Sequence, residues 1–117
     1  MRKFIAAAMF LLLPGGMTVA HAHAFLDHAE PRVGSTVLTA PRELTMTFTQ
    51  ELEASFSSAE VRDEKGARVD QGRPQISGTV MRVGLKPLSA GSYKVHWKAL
   101  SVDTHTTQGD FSSRVGK

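Results

Sequence analysis

The feature that most constrains the fold is a strict alternation of apolar and polar residues, which recurs in several short runs. Leu44, Met46 and Phe48 alternate with threonines, and every second position from Tyr93 to Ala99 is apolar. Side chains of a strand point alternately to its two faces, so this period is typical of half-buried strands. No segment shows a sustained helical period. The sequence therefore predicts an all-β domain whose core contains these positions, Met46 included.

Turn signals divide the chain into about seven such runs. We expect a first edge strand over residues 23–30, a hairpin around the charged turn 63–66, and a final short strand after Gly109. Short strands separated by turn signals every 8–12 residues or so are typical of sandwiches and barrels. The predicted fold is a small Greek-key β-sandwich or barrel.

The amino-terminal segment has the pattern of a secretory signal. Arg2 and Lys3 precede an apolar run from Phe4 to Leu13, and the triplet Ala20-His21-Ala22 has small residues at both ends. A run of about ten apolar residues is too short to cross a bilayer as a helix, which takes ~20 residues. We therefore expect residues 1–22 to be a cleaved signal peptide and residues 23–117 to be the mature domain.

Cleavage after Ala22 would make His23 the first residue of the mature protein. Its α-amine and ring Nδ1 can close on one metal ion, and an unperturbed α-amine has a pKa of only about 8. Cleavage after Ala20 would instead place His23 third from an amine, an arrangement that also binds Cu(II) and Ni(II). Cleavage after Ala24 would remove both leader histidines and the chelating end with them.

A second pair of donors, Asp103 and His105, follows the strand-like run 93–99. Side chains two apart on an extended backbone point the same way, so we expect the carboxylate and the imidazole to be adjacent. Together with His23 they supply two imidazoles, one amine and one carboxylate. Such a nitrogen-rich set suits tetragonal Cu(II), which lies at the top of the divalent affinity order, and zinc remains a variant of the same site.

Composition excludes several classes of protein. The 117 residues contain no cysteine, which rules out disulfides, thiolate copper sites and structural zinc sites of the thiolate type. The formal net charge of +3 falls to +1 without Arg2 and Lys3, and the remaining basic residues are scattered among acids. Nucleic-acid binding would need a basic stripe with interleaved aromatics. We therefore predict a soluble, exported, monomeric domain that does not bind nucleic acid.

Four stretches form a recognisable pattern: His23-Ala24-x-Leu26 with Pro31-x-x-Gly34-Ser35, Phe48-Thr49-Gln50, Gly91-x-Tyr93-x-Val95-x-Trp97, and Ser101-x-Asp103-x-His105-x-x-x-Gly109. This pattern resembles the CopC family of small periplasmic copper-binding proteins of bacterial copper resistance and uptake. The resemblance covers essentially all of residues 23–117.

The resemblance implies a Greek-key β-sandwich of cupredoxin-like or immunoglobulin-like shape. It also implies one Cu(II) per chain, bound by the amine and ring of His23 together with Asp103 and His105. We expect a periplasmic carrier or buffer of Cu(II), without enzymatic activity. The resemblance suggests an inner-membrane copper permease of the CopD type as a partner.

The sequence departs from the family pattern at three places, one of which is Ser113, where the closing strand usually carries a second aromatic. Some members hold Cu(I) in a methionine-rich loop, but Met46 and Met81 are the two methionines beyond the leader and both lie on strand patterns. We therefore expect no Cu(I) site. The family often has a glutamate near the copper, where this chain has Gln50 followed by Glu51. Whether Gln50, Glu51 or His28 contributes to the metal shell stays open.

Two other classes of function use the same residues differently. A terminal histidine with a second histidine is similar to the copper brace of polysaccharide-oxidising monooxygenases. Against that class, 95 mature residues leave little surface for a polymer, and Asp103 would occupy a position needed for oxygen. A β-sandwich for adhesion or assembly, with an incidental terminal histidine, is the second alternative, and metal-independent melting would favour it.

Overall fold

Residues 24–116 are described by a computed structural model. The predicted signal peptide, residues 1–22, and His23 lie outside the described residues. The strands of residues 24–116 are β1 (Leu26–Glu30), β2 (Thr36–Val37), β3 (Glu43–Phe48), β4 (Ser58–Arg62), β5 (Asp70–Ser77), β6 (Val80–Leu85), β7 (Gly91–Leu100) and β8 (Thr106–Val115). A short 3₁₀ helix, Ala54–Phe56, lies between β3 and β4. Over the same residues no helix is both long and apolar enough to cross a bilayer.

The strands form two four-stranded sheets. The first sheet has the order β1-β3-β6-β5 and the second the order β2-β8-β7-β4. All the pairs are antiparallel except β2 with β8, which is parallel. Strand β3 pairs with β6 and not with the strand that follows it, because the chain crosses to the other sheet in between. The predicted all-β sandwich is confirmed, with eight strands in place of about seven: the structure adds β2 and β5 and lacks the second strand of the predicted hairpin.

The alternating runs line the core, as predicted. Met46 and Met81 are fully buried and lie opposite each other in the register of β3 and β6. Phe48 of the first sheet packs edge-on against Trp97 of the second, with the ring centroids 5.1 Å apart. Burying a side chain of this kind contributes about 1.5–3 kcal/mol. The contact between Phe48 and Trp97 therefore helps to hold the two sheets face to face.

Two strands differ from their predictions. Strand β5 lies beyond the hairpin predicted over residues 58–69. In that hairpin the turn forms, and residues 62 and 68 make an isolated bridge. The sequence of β5 lacks alternation because it is an edge strand, with Pro74 and a register shift at Gly72, whose φ is +74°. Strand β8 is ten residues long and contains Gly109, so the prediction of a short strand beginning after Gly109 was wrong.

The connections at one end of the sandwich join the two sheets. The backbone N–H of Thr49, just after β3, donates to the carbonyl of Phe25 at 2.9 Å, just before β1. The loop after β3 also reaches the second sheet, since Leu52 forms a bridge with Ser101 and the N–H of Glu53 donates to the carbonyl of Leu100 at 2.8 Å. The start of β1, the end of β3 and the turn between β7 and β8 therefore meet at this end.

Candidate metal centre

The turn that joins β7 to β8 carries Asp103 and His105. The backbone N–H of Ser101 donates to the carbonyl of His105 at 3.0 Å, and the N–H of Thr104 donates to the carbonyl of Ser101 at 2.8 Å. Thr104 has a φ of +76°, in the left-handed region that non-glycine residues rarely adopt. The prediction of an extended backbone from Asp103 to His105 was therefore wrong, because these residues form a closed turn.

The turn nevertheless brings the two predicted donors together. Nδ1 of His105 lies 3.3 Å from Oδ1 of Asp103. Both side chains are about half exposed, at 51% and 43%. A carboxylate beside an imidazole can serve as a second ligand or as the acceptor that orients the ring, and both roles occur in metal sites.

The carboxylate of Asp103 accepts a hydrogen bond from a buried hydroxyl group. Ser101 is fully buried, and its Oγ donates a hydrogen bond to Oδ1 of Asp103. This hydrogen bond is the largest cause that lowers the pKa of the Asp103 carboxyl below its ordinary value; partial desolvation opposes it, and His105 adds to the lowering. Hydrogen bonds to the charged form stabilise that form. Asp103 is therefore an ionised acceptor over the whole neutral range.

The chain around Ala24 is attached to the same end of the sandwich. Ala24 is fully buried, and its carbonyl accepts a hydrogen bond from the hydroxyl of Thr107, two residues after His105. The next N–H, that of Phe25, donates to the hydroxyl of Thr49 at 2.9 Å. The structure thus places Ala24, the residue to which His23 is joined, beside the first residues of β8.

The other side chains that the sequence left open lie in different surroundings. Nδ1 of His28 lies 2.9 Å from a carboxylate oxygen of Asp27, on the exposed face of β1. Gln50 is half-buried. Glu51 is exposed, and its backbone carbonyl accepts from the N–H of Val102 at 3.1 Å, which places the glutamate backbone against the β7–β8 turn.

Residues 24–116 hold no group of three or more histidine, aspartate or glutamate side chains placed to bind a metal ion. What they hold is the pair Asp103 and His105, which matches the donor types of a borderline metal ion but supplies half of a four-donor shell. The remaining donors would have to come from outside the described residues or from water.

Sequence reasoning missed the hydroxyl groups that surround this pair. Ser101 and Thr49 stood in the family-like pattern, yet neither position had been given a role. Thr107 carried no signal at all, because a threonine on a half-buried strand is unremarkable in sequence. The contact of its hydroxyl with the carbonyl of Ala24 is what gives it a candidate role.

Comparisons with known proteins identify the family and the fold. The family model described as the CopC domain matches residues 26–116. Protein YobA of Escherichia coli (strain K12) is 31% identical over 102 residues, which cover 80% of this chain and 79% of YobA. Copper resistance protein C of Xanthomonas campestris pv. juglandis is 32% identical over 105 residues, which cover 82% of each protein.

Solved structures share the fold over most of their length. CopC from Methylosinus trichosporium OB3b superimposes with a TM-score of 0.71 at 27% identity, over 80% of this chain and 94% of that one. PcoC, described as a methionine-rich copper resistance protein from Escherichia coli, gives a TM-score of 0.71 at 30% identity, over 80% of this chain and 99% of that one. The chain belongs to the CopC family.

Proposed function

We propose that the protein is a periplasmic carrier or buffer of Cu(II), which it binds through His23, Asp103 and His105. The observation that carries the proposal is the position of the Asp103–His105 pair at the end of the sandwich where Ala24 is attached. Consecutive Cα atoms are about 3.8 Å apart, so a residue joined to Ala24 starts close to the first residues of β8. A mature chain that begins at His23 would then bring its amine and its imidazole to the pair.

The donor set matches the proposed cargo. One amine, two imidazoles and one carboxylate are nitrogen-rich donors of intermediate softness, which favour Cu(II) in tetragonal geometry. The lowered pKa of Asp103 extends the range over which the carboxylate is charged further towards acid pH. Water would complete the shell where the protein supplies fewer than the required donors.

A half-exposed site suits transfer better than catalysis. The imidazole of His105 and the carboxylate of Asp103 are both open to solvent, so a copper ion held there could pass to another protein without an unfolding step. The family resemblance suggests a CopD-type inner-membrane permease as that protein. The names of relatives, copper resistance protein C among them, support a role in copper resistance or homeostasis and not an enzymatic one.

We propose one Cu(II) per chain and no Cu(I) site. Met46 and Met81 are the methionines of the mature domain, and both are fully buried on β3 and β6. A thioether at such a position packs in the core, where a metal ion would have to displace neighbouring side chains at the close packing of a protein interior.

The test is a Cu(II) titration of protein that begins at His23, followed by competition with a chelator and by electron paramagnetic resonance. We expect binding of one equivalent, nitrogen-rich coordination, and a large loss of affinity in His105→Ala. Two histidines serve as matched controls, because each lies beside a carboxylate as His105 does: His28 with Asp27 and His96 with Asp110, at 2.9 and 2.8 Å. Equal losses in His105→Ala and in either control would contradict the assignment.

A further inference from the structure

We propose that Thr107 and Thr49 are positioning residues that clamp one peptide group and thereby hold the amino terminus at the copper site. The proposal rests on the proposed function and deepens it. The clamped group is the peptide bond between Ala24 and Phe25: its carbonyl accepts from the Thr107 hydroxyl and its N–H donates to the Thr49 hydroxyl at 2.9 Å.

The two threonines come from different sheets. Thr107 lies on β8 of the second sheet, opposite the fully buried Ala99 of β7, and Thr49 directly follows β3 of the first sheet. The peptide group is therefore held from both of its polar ends by the two halves of the sandwich. Because a peptide bond is planar, fixing its N–H and its C=O fixes the orientation of the whole plane.

The clamp lies where backbone pairing is ending. Strand β1 begins at Leu26, which is the first residue of its ladder with β3, so the peptide group before Phe25 lies outside that ladder. The N–H of Thr49 extends the pairing by one bond, to the carbonyl of Phe25 at 2.9 Å. Within residues 24–116, the side-chain hydroxyls of Thr107 and Thr49 bind a peptide group close to the amino-terminal end of that range.

The clamped peptide plane restricts the directions that the chain before Ala24 can take. Only the φ and ψ angles of Ala24 separate the clamped plane from the next peptide plane towards the amino terminus, and the methyl group of Ala24 is fully buried. A chelating amino-terminal histidine joined to Ala24 therefore starts from a peptide plane whose orientation is fixed. If the clamp is lost, the fraction of molecules with the terminus in place falls, and the apparent affinity falls by the same factor.

The experiment compares the Cu(II) affinities of variants of the protein that begins at His23. Thr107→Val keeps the shape of the side chain and removes the hydroxyl, Thr107→Ser keeps the hydroxyl, and Thr49→Val removes the hydroxyl on the other sheet. Thr45→Val on β3, which is half-buried as Thr107 is, serves as the matched control; Thr49 is exposed. We expect the dissociation constant to rise about five- to tenfold in each hydroxyl-deleted variant, the value of one hydrogen bond, and to stay near the parent value in Thr107→Ser and Thr45→Val.

A second readout does not depend on copper. Amide hydrogen exchange at Phe25 in the metal-free protein should quicken in Thr49→Val and in Thr107→Val, while amides of the central strands β3 and β7 stay protected. General destabilisation would instead speed exchange in all of these strands together.

The outcomes separate this proposal from the one on which it rests. A parent protein that binds no Cu(II) would overturn both. A parent that binds copper, with dissociation constants unchanged in Thr107→Val and Thr49→Val, would overturn the clamp alone. A rise in Thr45→Val equal to that in Thr107→Val would also overturn it, because the loss would then reflect threonine content and not the clamped peptide.

Discussion

Gly109 lies directly opposite Trp97 in the register of β7 and β8, close to the indole ring. A Cβ atom at position 109 would lie 2.7 Å from Cζ2 and 2.9 Å from Cε2 of Trp97. Trp97 is buried and packs against Phe48 of the other sheet, so it has little room to move away. The missing side chain at Gly109 is what leaves room for the indole ring of Trp97.

We therefore expect Gly109→Ala to lower the free energy of unfolding by about 1–3 kcal/mol, the usual cost of overpacking a core. Urea unfolding of the metal-free protein measures it. Trp97→Leu provides the partner of a double-mutant cycle: once the indole is removed, the alanine at position 109 should cost much less. A full and additive cost in the double variant would show that the contact with Trp97 is not the cause.

The carboxylate of Asp70 connects the two sheets, and its pKa gives a pH prediction. Its Oδ1 accepts from the backbone N–H of Val61 at 2.9 Å, and both of its oxygens accept from the guanidinium of Arg68 at 2.8 Å. The hydrogen bond from Arg68 is the main cause that lowers the pKa of Asp70; burial opposes it, and the Val61 N–H and the charge of Arg68 add to the lowering. The folded protein thus binds a proton at Asp70 less readily than the unfolded chain.

A lowered folded pKa means that this stabilisation is fully present above the unfolded pKa near 3.8 and is lost as the pH falls through the folded value. Asp70→Asn should lower the free energy of unfolding by about 1–2 kcal/mol at pH 7, a value that allows for the half-exposed arginine. Below about pH 4 the stability of this variant should fall less steeply than that of the parent protein. Urea midpoints between pH 2.5 and pH 7 measure both effects. Asp27→Asn, at an exposed position, is the control. If stability falls as steeply at acid pH in Asp70→Asn as in the parent protein, Asp70 is not the cause of the fall.

Ser101→Ala should raise the pKa of the Asp103 carboxyl towards its ordinary value, because the Ser101 hydroxyl is the largest cause of the lowering. Carboxyl chemical shifts followed by NMR through a pH titration of the metal-free protein report it directly. Ser101→Thr, which keeps a hydroxyl, should retain most of the lowering if the fold tolerates the extra methyl group. An unchanged Asp103 titration in Ser101→Ala would mean that His105 alone sets the charge.

Adding one residue before His23 tests whether the free amine matters. In protein that begins at His23, Cu(II) at a hundredfold excess over its dissociation constant should stabilise the fold by about 2.7 kcal/mol and raise the melting temperature. Protein that begins at Ala22 has the same imidazoles but carries its amine one residue earlier, and most of the rise should disappear. Equal shifts for the two proteins would place copper binding elsewhere, and the mass of the protein recovered from the periplasm would show which end exists in the cell.

Much of the fold could be predicted because burial on a strand has a local signature. The alternation in β3 and β7 predicted Met46 and Trp97 as core residues, and both are buried. Strand β5 was not predicted, because it is an edge strand that mostly faces solvent and its sequence does not alternate between apolar and polar residues. Strand β8 was placed too late because Gly109 looked like a turn residue, when it is a packing residue opposite Trp97.

The sequence by itself determined the chemistry available: an aspartate and a histidine two apart, a histidine at a predicted cleavage point, and strands that alternate. The tertiary structure decided which of these groups can meet. Asp103 and His105 are adjacent through a closed turn and not through an extended strand, and the carbonyl of Ala24 accepts from the hydroxyl of Thr107, which is 83 positions away in sequence and two residues after His105. Local periodicity records only which side of a strand is buried, whereas a contact across such a separation depends on sheet order and on hydrogen bonds that form once the two sheets have packed.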